Sequence, residues 1–557
     1  MGAAPATPPT GALDVAGLVG STFARLALDT AFGVLGSGNF LATNAFVAAG
    51  GSFHAARHEC GAVCMADGFA RVAGRPALCS VHQGPGLTNA LTGIGEAAKA
   101  RTPMVVFAGD TAPAALRSNF RVDQHGVVES VGAGVERVHG AASAAADAAR
   151  ALARARDERR PVVLMVPVDL QEEEAAVAGP PAVLPPAPLP AAPGPEALVA
   201  LTDLVLGARR PLVLAGRGAV VADAGPALIE LAERTGALLA TTAMAKGLFA
   251  GHPQHLGISG GFSSPPAAEL IAGADLVLAF GASLTPWTTR EGTLFGADAK
   301  LAWIDLEPGP APAVEAALVV AADAGEAARA LCVELTRHGR ERASHPEVAA
   351  AAGRCAWADQ EFADAAGPGR IDPRTFSMAL ERALPADRTV VVDSGHFLGF
   401  PAMYLEPPDA RSWVFVNAFQ SVGLGLAAAI GASVARPDRI TVLALGDGGL
   451  YMSLPELETA VRLQLPLLIA VYDDAAYSAE VHPFSALGHD VSLVRFPDTD
   501  LAALAHGAGA GGVTVREPGD LTAVSAWAAD PRGPLLVDAK VEPSVCAEWL
   551  ALTLDHH

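Results

Sequence analysis

Residues 446–480 read GDGGLYMSLPELETAVRLQLPLLIAVYDDAAYSAE. The apolar run Ile440–Leu445 enters Gly446-Asp447-Gly448, and a second apolar run, Leu467–Tyr472, closes on Asp473-Asp474. The stretch between them is amphipathic, so the spacing predicts strand, helix, strand, with both strands in one parallel sheet. Each strand then delivers a carboxylate to the same C-terminal edge, where ligands of open α/β sheets collect. The glycines let backbone N–H groups approach a phosphate, and two carboxylates with a carbonyl suit a hard cation. A diphosphate bridged to the protein by Mg²⁺ is the expected occupant.

The same alternation extends over the chain. Residues 12–177 carry a helical stretch at Leu18–Leu28 and strand runs at Ala31–Leu35, Leu78–Val81, Met104–Ala108 and Val162–Val166. Residues 178–195 (AGPPAVLPPAPLPAAPGP) lack periodicity and read as a semi-extended linker. Alternation restarts over 196–335, where Pro211–Ala215 enters Gly216-Arg217-Gly218, Leu276–Phe280 enters Gly281, and Leu301–Leu306 ends in Glu307-Pro308. Residues 336–368 are polar and Ala-rich and form a second connector; 370–545 make the third unit, and Cys546–His557 a short helical tail. The expected fold class is α/β, with three Rossmann-like parallel-sheet domains.

The bulk chemistry excludes several classes. A formal net charge of −21 over 557 residues disfavours nucleic acid and anionic membranes as partners. Six cysteines are scattered without a C-x-x-C pair, which reads as buried thiols rather than a metal site. Met1–Asp14 has no basic region followed by an apolar one, and no uninterrupted apolar run of about 18 residues occurs, so a cytoplasmic protein is expected.

A second signal lies near the N-terminus. Arg57-His58-Glu59 precedes a small-residue helix, GAVCMADGFARVAGRP (61–76), then a strand and the loop Val81-His82-Gln83-Gly84-Pro85-Gly86-Leu87-Thr88-Asn89. Together with the GDG turn and the acidic pair, this pattern resembles thiamine-diphosphate (ThDP) enzymes, the group that includes acetolactate synthase, pyruvate oxidase, benzoylformate decarboxylase and pyruvate decarboxylase. The resemblance covers nearly the whole chain, in the order pyrimidine-binding, middle and diphosphate-binding domain. It implies Asp447, Asp474 and the carbonyl of Ala476 as Mg²⁺ ligands, with Gly446, Gly448, Gly449, Tyr477, Ser478 and Ala479 around the diphosphate. Asp473-Asp474 stands where the family carries Asn-Asn, which would give the metal one extra negative charge. Glu59 corresponds to the carboxylate that activates the aminopyrimidine, and a buried Glu suits such proton sharing. Val422 corresponds to the apolar wedge between the cofactor rings, and Gln420 to the carbonyl beside it.

For the substrate, the resemblance points to Ser37 and His82, as in benzoylformate decarboxylase, and to Glu480, as in pyruvate decarboxylase. His82 follows a strand at the active edge, where an imidazole can relay a proton. Gln124-His125, His396 and His482 fall on loops expected near the pocket. These groups suggest a site that moves protons. The expected activity is ThDP- and Mg²⁺-dependent cleavage or formation of a C–C bond on a 2-oxo acid or acyloin-type substrate, as a decarboxylase or lyase. The alternatives are an acetolactate synthase-like carboligase, a non-catalytic subunit keeping the fold, and a CoA-thioester lyase. Some relatives bind FAD in the middle domain; Gly216-Arg217-Gly218 and Arg290 are compatible with a nucleotide, but FAD is not the favoured reading. In the family the two cofactor-binding domains come from different subunits, which implies a homodimer as the minimum and a homotetramer as the expected assembly.

Overall fold

The structure is a computed structural model that describes residues 13–175, 182–309 and 314–554. The expected domain limits at residues 12 and 177, the start of the linker and the last residues of the tail lie outside the described residues.

Three six-stranded sheets, parallel throughout, order the chain. The first holds β1 (Thr30–Gly33), β2 (Ser52–Ala55), β3 (Ala77–Val81), β4 (Met104–Asp110), β5 (Gly134–Arg137) and β6 (Pro161–Pro167), in the order β2-β1-β3-β4-β6-β5. The middle sheet holds β7 (Pro211–Ala215), β8 (Leu238–Thr241), β9 (His255–Ile258), β10 (Leu276–Phe280), β11 (Lys300–Asp305) and β12 (Leu318–Ala321), in the order β12-β11-β10-β7-β8-β9. The third holds β13 (Arg388–Val392), β14 (Trp413–Phe415), β15 (Ile440–Gly446), β16 (Leu467–Asp473), β17 (Gly511–Val515) and β18 (Leu535–Lys540), ordered β14-β13-β15-β16-β18-β17. The first and third sheets therefore share one connectivity. In both, the order in which strands are added reverses, between β1 and β3 and between β13 and β15, and such switch points open the crevices that hold ligands.

Central strands such as β4, β6, β15 and β16 are buried almost end to end, as parallel strands covered on both faces must be. The single helix expected between β15 and β16 is two, Asp447–Ser453 and Glu456–Arg462, interrupted at Pro455, whose ring and missing N–H disrupt a continuous helix.

The first and third domains pack through the helices Glu59–Ala73 and Gly425–Ala435. Gly68 abuts the Ala428 backbone and Gly431 the Met65 backbone, so the helices run antiparallel and meet at glycines where a side chain would collide. Buried Arg71 ties the same interface, pairing with Asp67 at 2.7 Å and Glu96 at 3.0 Å and donating to the Phe415 carbonyl at 3.0 Å. The helical tail Glu548–Leu554 docks on the middle domain, where Trp549 meets Trp287 edge-on at 5.6 Å. Among the described residues no helix is long and apolar enough to cross a membrane.

Candidate active site

At the β13/β15 switch point the sequence builds an acidic cradle. β15 ends on Gly446, which caps the helix starting at Asp447. Asp447 is buried, and burial together with Asp474 and Asp473 pushes its carboxyl up to about 8. Half-buried Asp474 is pushed up to about 6, again chiefly by burial. No ion pair neutralises either group among the described residues. The turn after β16 is shaped by its own carboxylates, Asp473 accepting from Ala475 N–H at 3.0 Å and Asp474 from Ala476 N–H at 3.2 Å. The neighbouring carbonyls of Ala475 and Tyr477 accept from Phe496 and from Glu480 and Val481, whereas among the described residues no turn or loop N–H donates to that of Ala476. Two unneutralised carboxylates and one such carbonyl form a hard, all-oxygen donor set. The glycines are required here: a Cβ on Gly448 would stand 2.6 Å from the Tyr477 ring, and one on Gly449 2.6 Å from Asp393. The residues present thus fit a diphosphate held through a divalent cation.

Asp473 does not share that environment. Its Oδ2 accepts from Lys540 Nζ at 2.6 Å, and the same ammonium meets Asp498 at 2.7 Å and Asp538 at 3.0 Å. Of the two carboxylates that stand in place of Asn-Asn, that of Asp473 is therefore answered from β18, whereas that of Asp474 stays in the cradle.

The loop carrying Gln420 and Val422 is fixed from both sides. Glu96, from the first domain, accepts from Ala418 N–H at 3.1 Å and Phe419 N–H at 2.6 Å. Asp393, at the end of β13, accepts from Gly423 at 2.9 Å and Gly425 at 3.1 Å. Burial holds Asp393 up at about 7. Gln420 adopts a left-handed backbone (φ 58°), and Val422 reaches the helix start at Gly449. Sequence reading missed Glu96, Asp393 and Lys540. The available signal was a lone charge on an otherwise small-residue or apolar segment.

A cavity of about 880 Å³ opens where the three domains meet. Gln420, Val422, Ala479 and Glu480 of the third domain line it, as do Arg217, Trp287 and Asp305 of the middle domain. Arg217 has a buried Nε without an acceptor, and its guanidinium is held down at about 10 by burial and by neighbouring arginines. Arg290 spends its guanidinium on the carbonyls of Gly260 and Ser263.

A separate cluster forms at the β1/β3 switch point. His82 Nδ1 donates to the Gln83 carbonyl at 2.8 Å, leaving Nε2 as the acceptor 3.3 Å from the Ser37 hydroxyl. Phe120 packs edge-on against the ring at 4.9 Å. Glu59 begins its helix and accepts from Asn89 at 3.1 Å; Gly86 lies between it and His82. Gln124 is buried beneath this loop, accepting from Gly84 N–H at 2.7 Å. His125 points away, 61 % exposed and paired with Glu129. His396 and His482 lie behind the cavity wall with their rings 4.5 Å apart and tilted by 43°, and burial pushes His396 down to about 3.

Within one chain the two clusters lie far apart. The antiparallel helix pair sets Glu59 beyond one end of the contact and Val422 beyond the other, roughly 20 Å apart at 1.5 Å per residue.

A three-domain α/β chain with an acidic diphosphate cradle and a glutamate at a helix start defines a class of cofactor-dependent enzyme. The sequence matches three family models: "Thiamine pyrophosphate enzyme, N-terminal TPP binding domain" over residues 14–131, the "central domain" over 198–331, and the "C-terminal TPP binding domain" over 393–539. It is 32% identical over 522 residues to a protein named "Probable 2-ketoarginine decarboxylase" from Pseudomonas aeruginosa, covering 89% of this chain and 88% of that one. It is 30% identical over 529 residues to the sulfoacetaldehyde acetyltransferase of Rhodobacter capsulatus, covering 89% and 88%. It is 29% identical over 428 residues to the acetolactate synthase large subunit of Parasynechococcus marenigrum, covering 75% and 68%. The chain belongs to the thiamine-diphosphate enzyme family and is a ThDP-dependent enzyme of C–C bond cleavage and formation.

Proposed function

We propose that the protein is a Mg²⁺- and ThDP-dependent decarboxylase or lyase acting on a small 2-oxo acid. The observation that carries this reading is that Val422, which reaches the cradle at Gly449, lines the same cavity as Glu480. Asp447, Asp474 and the Ala476 carbonyl hold the cation, and Gly446, Gly448 and Gly449 admit the diphosphate. The chemistry that bound ThDP supplies is a nucleophilic carbon and an electron sink. Glu59 shares a proton with the aminopyrimidine, its other oxygen steadied by Asn89. The bond to Gln83 leaves His82 Nε2 free to take or give a proton beside Ser37. Glu480 adds a carboxylate on the substrate side, next to small Ala479.

The roughly 20 Å between Glu59 and Val422 supports a site built from two chains, so a homodimer is the minimum unit and a homotetramer fits the same pairing. Exposed apolar side chains near each half, Leu35, Phe40 and Leu41 on one and Phe419, Tyr451 and Met452 on the other, suit such an interface. Six unpaired cysteines fit the reducing cytoplasm.

Calorimetry with ThDP and Mg²⁺ tests the site: tight binding by the wild type and its loss in Asp447→Ala are expected, and equal binding by both ends the reading. Product analysis with pyruvate, benzoylformate and 2-ketoarginine tests the reaction, with CO₂ and free aldehyde expected. Acetolactate as the main product would favour the carboligase alternative. One observation lends that alternative weight: the unpartnered Arg217 in the middle-domain lining of the cavity suits an anionic nucleotide such as FAD. A yellow preparation with flavin absorbance would support it.

A further inference from the structure

Behind the cavity wall, three segments far apart in sequence converge. His396 follows β13, His482 lies on the helix Ser478–Ala486, and Cys546 begins the tail after β18. One donor atom from each lies within 4.8 Å of the others. We propose that His396, His482 and Cys546 form a binding site for a zinc-type divalent cation, distinct from the cation site of the diphosphate.

The donor set argues for this class of metal. Two imidazoles and a thiol are borderline-soft ligands that favour Zn²⁺ or Co²⁺ over Mg²⁺, whereas the Asp447 cradle offers only oxygen. In a tetrahedral site with Zn–N near 2.0 Å and Zn–S near 2.3 Å, ligand atoms stand about 3.3–3.7 Å apart. The cluster therefore has to contract by only about 1 Å, which side-chain rotation of half-buried His482 and Cys546 can supply. Competition for the donors is limited to one backbone N–H and one long thiol contact. His482 Nε2 is buried with no hydrogen-bond partner. His396 Nε2 accepts from the Ala547 N–H at 2.8 Å, so its lone pair already faces the residue after Cys546, and the cation takes the place of that N–H. The Cys546 thiol has only its neighbour's carbonyl, at 3.7 Å. On binding, the thiol loses its proton to solvent and the thiolate closes on the ion. Three protein ligands leave the fourth position to water.

The consequence is mechanical. Trp549 and Gly395, each three residues or fewer from a ligand, line the cavity, as do Ala479 and Glu480 on the His482 helix. The cation clamps the tail to the β13 loop and to the helix that carries Glu480, and so fixes one wall of the substrate space.

The test uses full-length holoenzyme with ThDP and excess Mg²⁺, so that the oxygen site is filled, and titrates Co²⁺. The expected result is one Co²⁺ per chain with a thiolate-to-cobalt charge-transfer band. Cys546→Ser should abolish the band, and His482→Gln should weaken binding by more than about 100-fold, beyond the loss of an outer-sphere partner. In the unmutated enzyme, Zn²⁺ should slow alkylation of the Cys546 peptide, read by mass spectrometry, which needs no variant to fold. A wild type without the band, a band that survives in Cys546→Ser, or alkylation indifferent to Zn²⁺ overturns the proposal.

Discussion

Replacing Lys540 by Met removes the one ammonium that faces three carboxylates at the end of β18. Lys540 is 2% exposed, and its partners Asp473 and Asp538 are 4% and 0% exposed at the side chain. Burial opposes its charge, yet the carboxylates hold it above the ordinary lysine range. Taking away one member of a buried ion cluster strands the others, at a cost of about 3–5 kcal/mol. A domain of 150–250 residues loses about 2–4 °C in Tm per kcal/mol, so the C-terminal domain should melt roughly 6–20 °C lower. Three domains do not unfold as one two-state unit, so the relevant transition in differential scanning calorimetry is the one that ThDP and Mg²⁺ raise. The deficit should also depend on pH. Burial already holds Asp538 up at about 6 with the ammonium in place, and removing Lys540 strands it, so the native variant binds a proton that the unfolded chain has released. The penalty is small at low pH and grows as pH rises toward 8. Adding Asp473→Asn removes one stranded charge and should recover part of the loss, a non-additive result because the residues touch. A Lys540→Met transition within about 2 °C of wild type, or a deficit equal at pH 5 and pH 8, would refute the argument.

Three other outcomes are expected. Glu59→Gln and Asp447→Asn should each be inactive alone, while their co-expression should restore about a quarter of wild-type activity, since half the dimers are mixed and each rebuilds one of two sites; a mixture that stays inactive on assay would deny the two-chain site. Asp393 sits near 7 through burial, so its contribution to stability is present at low pH and lost as pH rises through that value; the Tm of Asp393→Asn relative to wild type should therefore climb between pH 5 and 8, and a flat difference would remove the effect. Gly431→Ala drives a methyl group into the Met65 carbonyl and should cost about 1–3 kcal/mol in thermal unfolding, where no change would mean the helices can separate freely.

The sequence was legible where chemistry is local. Pro211–Ala215 and Leu276–Phe280 have the predicted bounds because central parallel strands are continuous apolar runs, here each opening after a charged residue and ending at a glycine. β2 and β17 escaped notice because they are edge strands with partly exposed patterns and no such run. The split at Pro455 was visible in principle, but amphipathic periodicity on both sides masked it. What stayed hidden depends on long-range pairing. Asp473 meets Lys540 from 67 positions away, and His396 meets Ala547 from 151. Nothing within a strand or helix period of Asp473 indicates that its charge is balanced, so Asp473 and Asp474 read alike until the fold brings β18 beside β16 and Lys540 pairs with the first alone.

The shared connectivity of the first and third sheets explains why a single chain holds two half-sites that do not meet. Each sheet carries its ligands at an equivalent switch point, and the domains join through equivalent helices, Glu59–Ala73 and Gly425–Ala435, packed antiparallel. An antiparallel joint between like units is close to a two-fold axis, and it turns the two ligand edges away from each other. Glu59 is thereby left without a cradle and Asp447 without a glutamate in the same chain. In the proposed dimer, a second copy related by a two-fold axis would supply both deficits at once, because an isologous interface repeats every contact. On the proposed two-chain reading, the number of complete sites would equal the number of chains. That is why the co-expressed pair of inactive variants, rather than either variant alone, discriminates between the readings.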